Sequence, residues 1–313
     1  MHNRLIFDTD GGVDDAQALL LLIANDRAPD AITTVFGNVD VDTATDNVLA
    51  VLAVAGATIE VHKGAAEAMV QELIHARHVH GEDGLGGAPR PPTVGDIAGF
   101  DAVGFLVATL GEAAITGAAV DVLMVGPLTN LALALQVAPG IARGIGQLTI
   151  MGGTLHGRGN HTPAAEFNIY ADPEAAAIVF AADIATVVVP WEPCTTHFLT
   201  GPQTDALFAA VPDGPYKEFA LALATHSRKT PAGHRNHDAM CFVDPLAAAV
   251  VVEPAIVTRA LRASVDVALA PGITRGMTVV DPSGRLGTPM VTLVEEASLD
   301  RLAALYAASI RRD

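Results

Sequence analysis

The sequence predicts an α/β fold: a mostly parallel open sheet flanked by helices, in one domain spanning residues 1–313, with a small antiparallel C-terminal appendage. Three observations predict it. Short β-branched runs alternate with Ala- and Leu-rich helical stretches, at the strand–helix–strand spacing that crossover helices require. Three of the strands end in glycine-containing turns, which brings three loops to one sheet edge. From Ala263 onward the pattern changes to short strands separated by turns such as Asp281-Pro282-Ser283-Gly284.

Leu5-Ile6-Phe7 reads as a short buried strand, and residues 16–23 as a helix packed against it. Residues 31–36 are β-branched and form a second strand ended by Gly37-Asn38; a helix over 44–55 stops at Gly56, and 58–61 is the third strand. Residues 75–92 break the pattern. His75, His78 and His80 precede a Gly-rich run and a proline cluster, the composition of a functional loop or lid. Three histidines in such a loop read as solvated rather than as metal ligands.

A helix around 105–110, a strand over 120–125 and the turn Gly126-Pro127-Leu128-Thr129-Asn130 follow, then a helix over 131–137 and a strand over 147–151 closed by Gly152-Gly153. Asp172 reads as an N-cap with Pro173 at the first helical position. The helix 175–182 leads to the strand 185–189, which stops at Pro190-Trp191. Residues 201–227 read as two helices joined near 212–215; a polar loop with His234, Arg235, Asn236 and His237 then runs into Asp238 and a helix from Leu246. The appended strands are 263–269, 277–281 and 290–294, closed by a helix over 298–310.

Half of the residues are hydrophobic and 17% are charged, which argues against disorder. Apolar runs such as 18–24 and 247–252 are too short to span a membrane. Met1-His2-Asn3-Arg4 passes straight into the first strand without room for a leader, and two cysteines, Cys194 and Cys241, fit a reducing compartment; both predict a cytoplasmic protein. A net charge of −17 argues against nucleic-acid phosphates or anionic lipid as partners and favours a small neutral substrate or a cation.

The chemistry concentrates in Asp8-Thr9-Asp10-Gly11-Gly12-Val13-Asp14-Asp15, the turn between the first strand and the first helix. Four carboxylates this close repel one another by several kcal/mol when dry, roughly 4 kcal/mol per pair at 4 Å and an effective dielectric of ~20. The stretch therefore lies open to water or holds a cation. Asp-x-Asp followed at once by Asp-Asp favours a hard-cation site over a solvated turn.

These residues also carry a resemblance. The stretch is similar to the N-terminal signature of the nucleoside hydrolases, the inosine/uridine-preferring ribohydrolase family. Val35-Phe36-Gly37-Asn38, His80-Gly81-Glu82-Asp83-Gly84-Leu85-Gly86, Gly126-Pro127-Leu128-Thr129-Asn130, Met151-Gly152-Gly153, Glu166-Phe167-Asn168-Ile169 and Val243-Asp244-Pro245 resemble further family motifs, in the family's order. The resemblance spans nearly the whole chain and implies the Rossmann-like nucleoside hydrolase fold. It implies hydrolysis of the N-glycosidic bond of ribonucleosides to free base and ribose, dependent on one Ca²⁺, through an oxocarbenium-like transition state. By position, Asp10, Asp15, Asp244 and the backbone carbonyl of Val125 would hold the ion, with a water and the ribose diol completing its shell. Asp10 would also be the general base toward that water. Asp14, Asn38, Glu166 and Asn168 would grip the ribose hydroxyls, Met151 would pack near the sugar, and Asp8 would support the cluster. A homodimer or homotetramer is implied as well.

The chain departs from the pattern twice. The family usually has Pro where Gly11 stands, and many members carry His before the late metal Asp, where it protonates the departing base; here that residue is Val243. Candidate replacements are His80 in the Gly-rich loop, His237 in the polar loop and Cys241, with Trp191 available to stack on a base. The stretch Trp191-Glu192-Pro193-Cys194 resembles a subgroup that also lacks the usual His. Two rival readings stand beside this one. Phe7-Asp8-Thr9-Asp10-Gly11 also resembles the Mg²⁺-dependent haloacid-dehalogenase-type phosphatases, but Gly12 lacks the hydroxyl that chemistry wants, and Lys63, Lys217 and Lys229 lie in no motif. The other rival is a ribonucleoside-binding protein without turnover.

Overall fold

The computed structural model describes residues 2–92, 94–229 and 238–311. In chain order the elements are β1 (Arg4–Thr9), α1 (Val13–Ala24), β2 (Ala31–Thr34), α2 (Val41–Ala55), β3 (Glu60–Lys63), α3 (Arg77–His80), α4 (Ala102–Thr116), β4 (Val120–Met124), α5 (Thr129–Val137) and β5 (Ile145–Met151). Then come α6 (Phe167–Ala171), α7 (Pro173–Ala181), β6 (Thr186–Val189), α8 (Trp191–Thr196), β7 (Phe198–Thr200), α9 (Gly201–Ala209), α10 (Pro215–Lys229), β8 (Ala239–Cys241), α11 (Asp244–Val252), β9 (Val257–Val267), β10 (Thr278–Asp281), β11 (Met290–Ala297) and α12 (Leu299–Ser309).

Nine strands form one sheet in the order β10-β9-β11-β6-β5-β4-β1-β2-β3. All pairings from β3 through β11 are parallel; β9 alone runs against its neighbours β11 and β10. The antiparallel portion is thus an extension of the main sheet through the parallel pair β6–β11, and its position was not legible in the strand pattern. In β1, Leu5 and Phe7 pack on one face with α1, α2, α10, α11 and α12, while Ile6 packs on the other with α4, α5 and α7. Each such buried side chain contributes about 1.5–3 kcal/mol.

Local sequence sets the helix ends. Asp40 caps α2 by accepting the Thr43 N–H at 2.9 Å, and Gly56 ends it in the left-handed region. Asp172 caps α7 through the Ala175 N–H at 3.1 Å, with Pro173 in the first turn, as the sequence predicts. Five short elements were not predicted: α3, α6, α8, β7 and β8, each three to six residues long and too short to show a period. From β1 the chain winds outward to β2 and β3, then returns to β4 on the other side of β1. The crevice outside the carboxyl ends of β1 and β4 is therefore the topological switch point, where open α/β sheets bind ligands.

Candidate active site

Asp8 and Thr9 end β1, and the chain turns through Asp10, Gly11 and Gly12 into α1 at this crevice. Asp8 Oδ2 accepts from Thr33 Oγ1 at 2.6 Å and Asn130 Nδ2 at 2.8 Å. Asn130 also donates to the Thr34 carbonyl and accepts from the Ala65 N–H, so the 126–130 turn stitches β1, β2 and the following loop together. Asp10 is held by Asn38, which donates its backbone N–H at 2.7 Å to Oδ2 and its Nδ2 at 2.8 Å to Oδ1. Asp15 accepts from Thr9 Oγ1 at 2.5 Å, the Gly12 N–H at 2.8 Å and Asn38 Nδ2 at 3.1 Å.

Ligand atoms of Asp14, Asp15 and Asp244 lie within 4.8 Å of one another. Asp14 and Asp15 stand in the first turn of α1, and Asp244 opens α11, so two helix N-termini face the cluster and favour its negative charge by about 0.3–1 kcal/mol each. At that separation each carboxylate pair repels by about 3–4 kcal/mol at an effective dielectric of ~20, well beyond what the helix ends return. Among the described residues, none of these groups pairs with Lys or Arg. Burial and the neighbouring acidic charges hold the Asp10 and Asp244 carboxyls well above the usual carboxylate range, and burial pushes Asp14 up to about 6 and Asp8 up to about 7.

Among the described residues, the buried Asp14 Oδ1 has no hydrogen-bond partner. His80 Nδ1 is 3.5 Å away but already accepts the Val13 N–H at 3.1 Å, so two lone pairs face each other. An orphaned oxygen, an uncompensated carboxylate cluster and an oxygen-only donor set all fit a hard divalent cation. The expected set of Asp10, Asp15, Asp244 and the Val125 carbonyl shares Asp15 and Asp244 with the observed group; its third member is Asp14, and both Asp10 oxygens accept from Asn38. The Val125 carbonyl accepts from Asn168 Nδ2 at 2.9 Å and keeps a second lone pair.

A cavity of about 170 Å³ lies beside the acidic group. Asp14, Asn38, Met151, Glu166, Asn168, His80 and Val125 line it, as do Trp191, Cys241 and Val243. Glu166 caps α6: Oε1 accepts the Asn168 N–H at 2.8 Å, and Oε2 accepts the Gly153 and Ile169 N–H groups at 2.9 and 3.1 Å. Burial pushes its carboxyl up to about 7. His80, expected to be solvated, is buried, and burial lowers it to about 4. Burial raises the Cys241 thiol to about 11 and Cys194 well above the usual thiol range. His237 lies outside the described residues.

Two histidines of the pocket escaped the sequence reading. His161 comes from the 155–165 loop and stacks on Tyr170 at 4.5 Å; His226 comes from α10 and reaches the Val79 carbonyl at 2.7 Å. Each is a lone His outside any motif, so only the folded chain brings them to the cavity. No lysine lines the cavity, and Lys63 and Lys217 pair with Asp42 and Asp213, which disfavours the phosphatase-like reading.

Residues 5–304 match the model of the family described as inosine-uridine preferring nucleoside hydrolase. A Leishmania major protein named inosine-uridine preferring nucleoside hydrolase is 34% identical over 285 residues, covering 90% of this chain and 88% of that protein. The non-specific ribonucleoside hydrolase RihC of Salmonella enteritidis PT4 is 37% identical over 299 residues, covering 91% of this chain and 90% of that protein. A solved plant nucleoside hydrolase superposes with a TM-score of 0.87 at 31% identity over 99% of both chains. With sequence and fold matching over nearly the whole length, and the acidic crevice in the matched region, the chain belongs to the inosine-uridine preferring nucleoside hydrolase family.

Proposed function

We propose that this protein hydrolyses the N-glycosidic bond of ribonucleosides to free base and ribose in a calcium-dependent reaction. Family membership makes the chain an N-glycosidase. The observation that carries the finer reading is the acidic group itself: carboxylates without a Lys or Arg partner, gathered at the switch point beside a cavity. Asp10, Asp15, Asp244 and the Val125 carbonyl would hold the ion, with Asp14 beside it. When bound, calcium neutralises these carboxylates, takes up a sugar diol and lowers the pKa of water.

The remaining work falls to the chain's own residues. Asp10, oriented by two hydrogen bonds from Asn38, accepts the proton of the attacking water. Asp14 accepts a ribose hydroxyl. Glu166, Asn168 and Asn38 complete the grip on the sugar, and Met151 packs against it. Asn168 is locked for this role by the Val125 and Met151 carbonyls, at 2.9 and 3.2 Å from its Nδ2. Hydroxyls held this way favour the flattened, oxocarbenium-like ring of the transition state.

At the base end Val243 donates nothing, and a thiol at about 11 is a poor acid, which disfavours Cys241. His80 is neutral, with its proton on Nε2 because Nδ1 accepts from Val13, and it serves as a hydrogen-bond donor. Such a donor assists less than a full proton transfer, so bases that depart as stable anions react fastest. A single domain over residues 1–313 and a cytoplasmic location belong to the same proposal, together with the homodimer or homotetramer that the family resemblance implies.

The test measures free base from inosine, uridine, cytidine and adenosine, and nitrophenolate from p-nitrophenyl riboside, with chelator and with added calcium. Turnover of the riboside should vanish in chelator and return with calcium, and Asp10→Asn should lower it by about 10²–10⁴-fold. Ribose binding without turnover of even the riboside would make this a binding protein. Hydrolysis of p-nitrophenyl phosphate alone would restore the phosphatase reading.

A further inference from the structure

Asn47 sits in α2, outside every motif that points to the active site, and is 1% exposed. Its Nδ2 donates two hydrogen bonds to backbone carbonyls from different parts of the chain: Gly11 at 2.7 Å, in the acidic turn, and Asp83 at 2.9 Å, in the Gly-rich loop. Arg90, at the far end of that loop, donates to Asn47 Oδ1 and to the Asp83 carbonyl, at 3.1 Å for the latter. The amide orientation is forced, since two carbonyls face one end and a guanidinium the other.

The glycines on either side are shaped for this contact. Gly84 has φ +76, and a Cβ there would lie 2.6 Å from Asn47 Nδ2 and 3.3 Å from the Gly11 carbonyl. Gly11 has φ +69, and a Cβ there would lie 2.5 Å from Ala44 Cα, one helical turn before Asn47. A second tie between the loop and the acidic turn is the bond from the Val13 N–H to His80 Nδ1. The loop is braced internally by the Gly84 N–H on the Gly81 carbonyl and the Gly86 N–H on the His80 carbonyl.

We infer that Asn47 is a positioning residue that joins the acidic turn and the 80–87 loop into one unit, so that filling the cation site also orders the loop carrying His80. This rests on the calcium site proposed above. The physical reason is linkage: a contact that holds two segments in one arrangement transmits to each whatever stabilises the other, with equal strength in both directions. Asn47→Asp keeps the shape but sets a carboxylate against two carbonyl oxygens, breaking both bonds. Arg90→Leu is the milder variant: it removes the group that fixes the amide, and that group's bond to the Asp83 carbonyl, but leaves both bonds donated by Asn47.

The experiment is hydrogen exchange read by mass spectrometry on the full chain, wild type and both variants, in chelator and in calcium. In the wild type, calcium should slow exchange in both 9–15 and 79–88. In Asn47→Asp it should slow 9–15 alone, with 79–88 exchanging about tenfold faster than wild type; Arg90→Leu should fall between. Equal calcium protection of 79–88 in wild type and Asn47→Asp overturns the inference, and so does wild-type protection confined to 9–15. If calcium protects neither segment in the wild type, the calcium site fails, and the chelator arm decides Asn47. Faster exchange in both segments of Asn47→Asp supports the tie, and faster exchange in one or neither refutes it. Unchanged exchange in β4 and β5 serves as the fold control.

Discussion

Val243 is half-buried on the cavity wall, one residue before Asp244, and its side chain offers no proton to a departing base. General acid catalysis is worth about 10²–10⁴-fold when the acid is well placed. In Val243→His, kcat on inosine should rise by about tenfold relative to kcat on p-nitrophenyl riboside, whose leaving group departs without a proton. A ratio that stays flat in steady-state assays would mean that base departure is not limited at this end of the site. Residues differ in how legible they were. Asp8, Asp10, Asp14 and Asp15 are neighbours along the chain, so their crowding is visible without a fold. His161 and His226 meet the cavity from a loop and a helix far apart in sequence, and nothing local marks them.

The element that shapes the metal end is the turn between β1 and α1. Gly11 adopts φ +69, a conformation that the ring of proline forbids, so the backbone path of this turn depends on the glycine. A side chain there would also strike Ala44, whose Cα lies 2.5 Å from the ideal Cβ position. Gly11→Ala should therefore cost about 2–4 kcal/mol, from strain plus overpacking. Gly56→Ala, at φ +57 with nothing within 4 Å of the added carbon, should cost only about 1 kcal/mol. Urea unfolding midpoints of the two variants check this, and equal losses would remove the close approach to α2 from the account. Long elements with a clear hydrophobic run were legible here, including α1, α2, α7 and α12. The short α8, β7 and β8 were not, because they exist by packing against the core and carry too few residues to show a period.

At the scale of the molecule, the carboxyl cluster links fold stability to pH and to the ion. In the metal-free protein Asp8, Asp14 and Glu166 have folded-state pKa values of about 7, 6 and 7, all above their unfolded values. Between its two values each such group is protonated in the fold and ionised in the unfolded chain, so stability falls by about 1.4 kcal/mol per pH unit per group as pH rises. His80, lowered to about 4, acts in the opposite sense between pH 4 and 6.5 and offsets one of the three. The chelated protein should lose about 5 °C or more in Tm between pH 5 and 7, and calcium should remove most of that loss by binding the ionised form. A chelated protein whose Tm rises across this window would contradict the picture.

The same scale separates what the chain order carries from what folding adds. The sequence by itself determined the alternation of strands and helices, the acidic turn after β1 and the ordered set of motifs, because each is written in neighbouring residues whose period or spacing is local. Only the tertiary structure decided that β9 and β10 extend the main sheet through β11, that Asp244 closes on Asp14 and Asp15, and that Asn47 spans the acidic turn and the Gly-rich loop. Those are contacts between segments tens to hundreds of residues apart, and they form because burying two helical layers on one twisted sheet brings the carboxyl ends of its strands, and the helices that follow them, to a single edge.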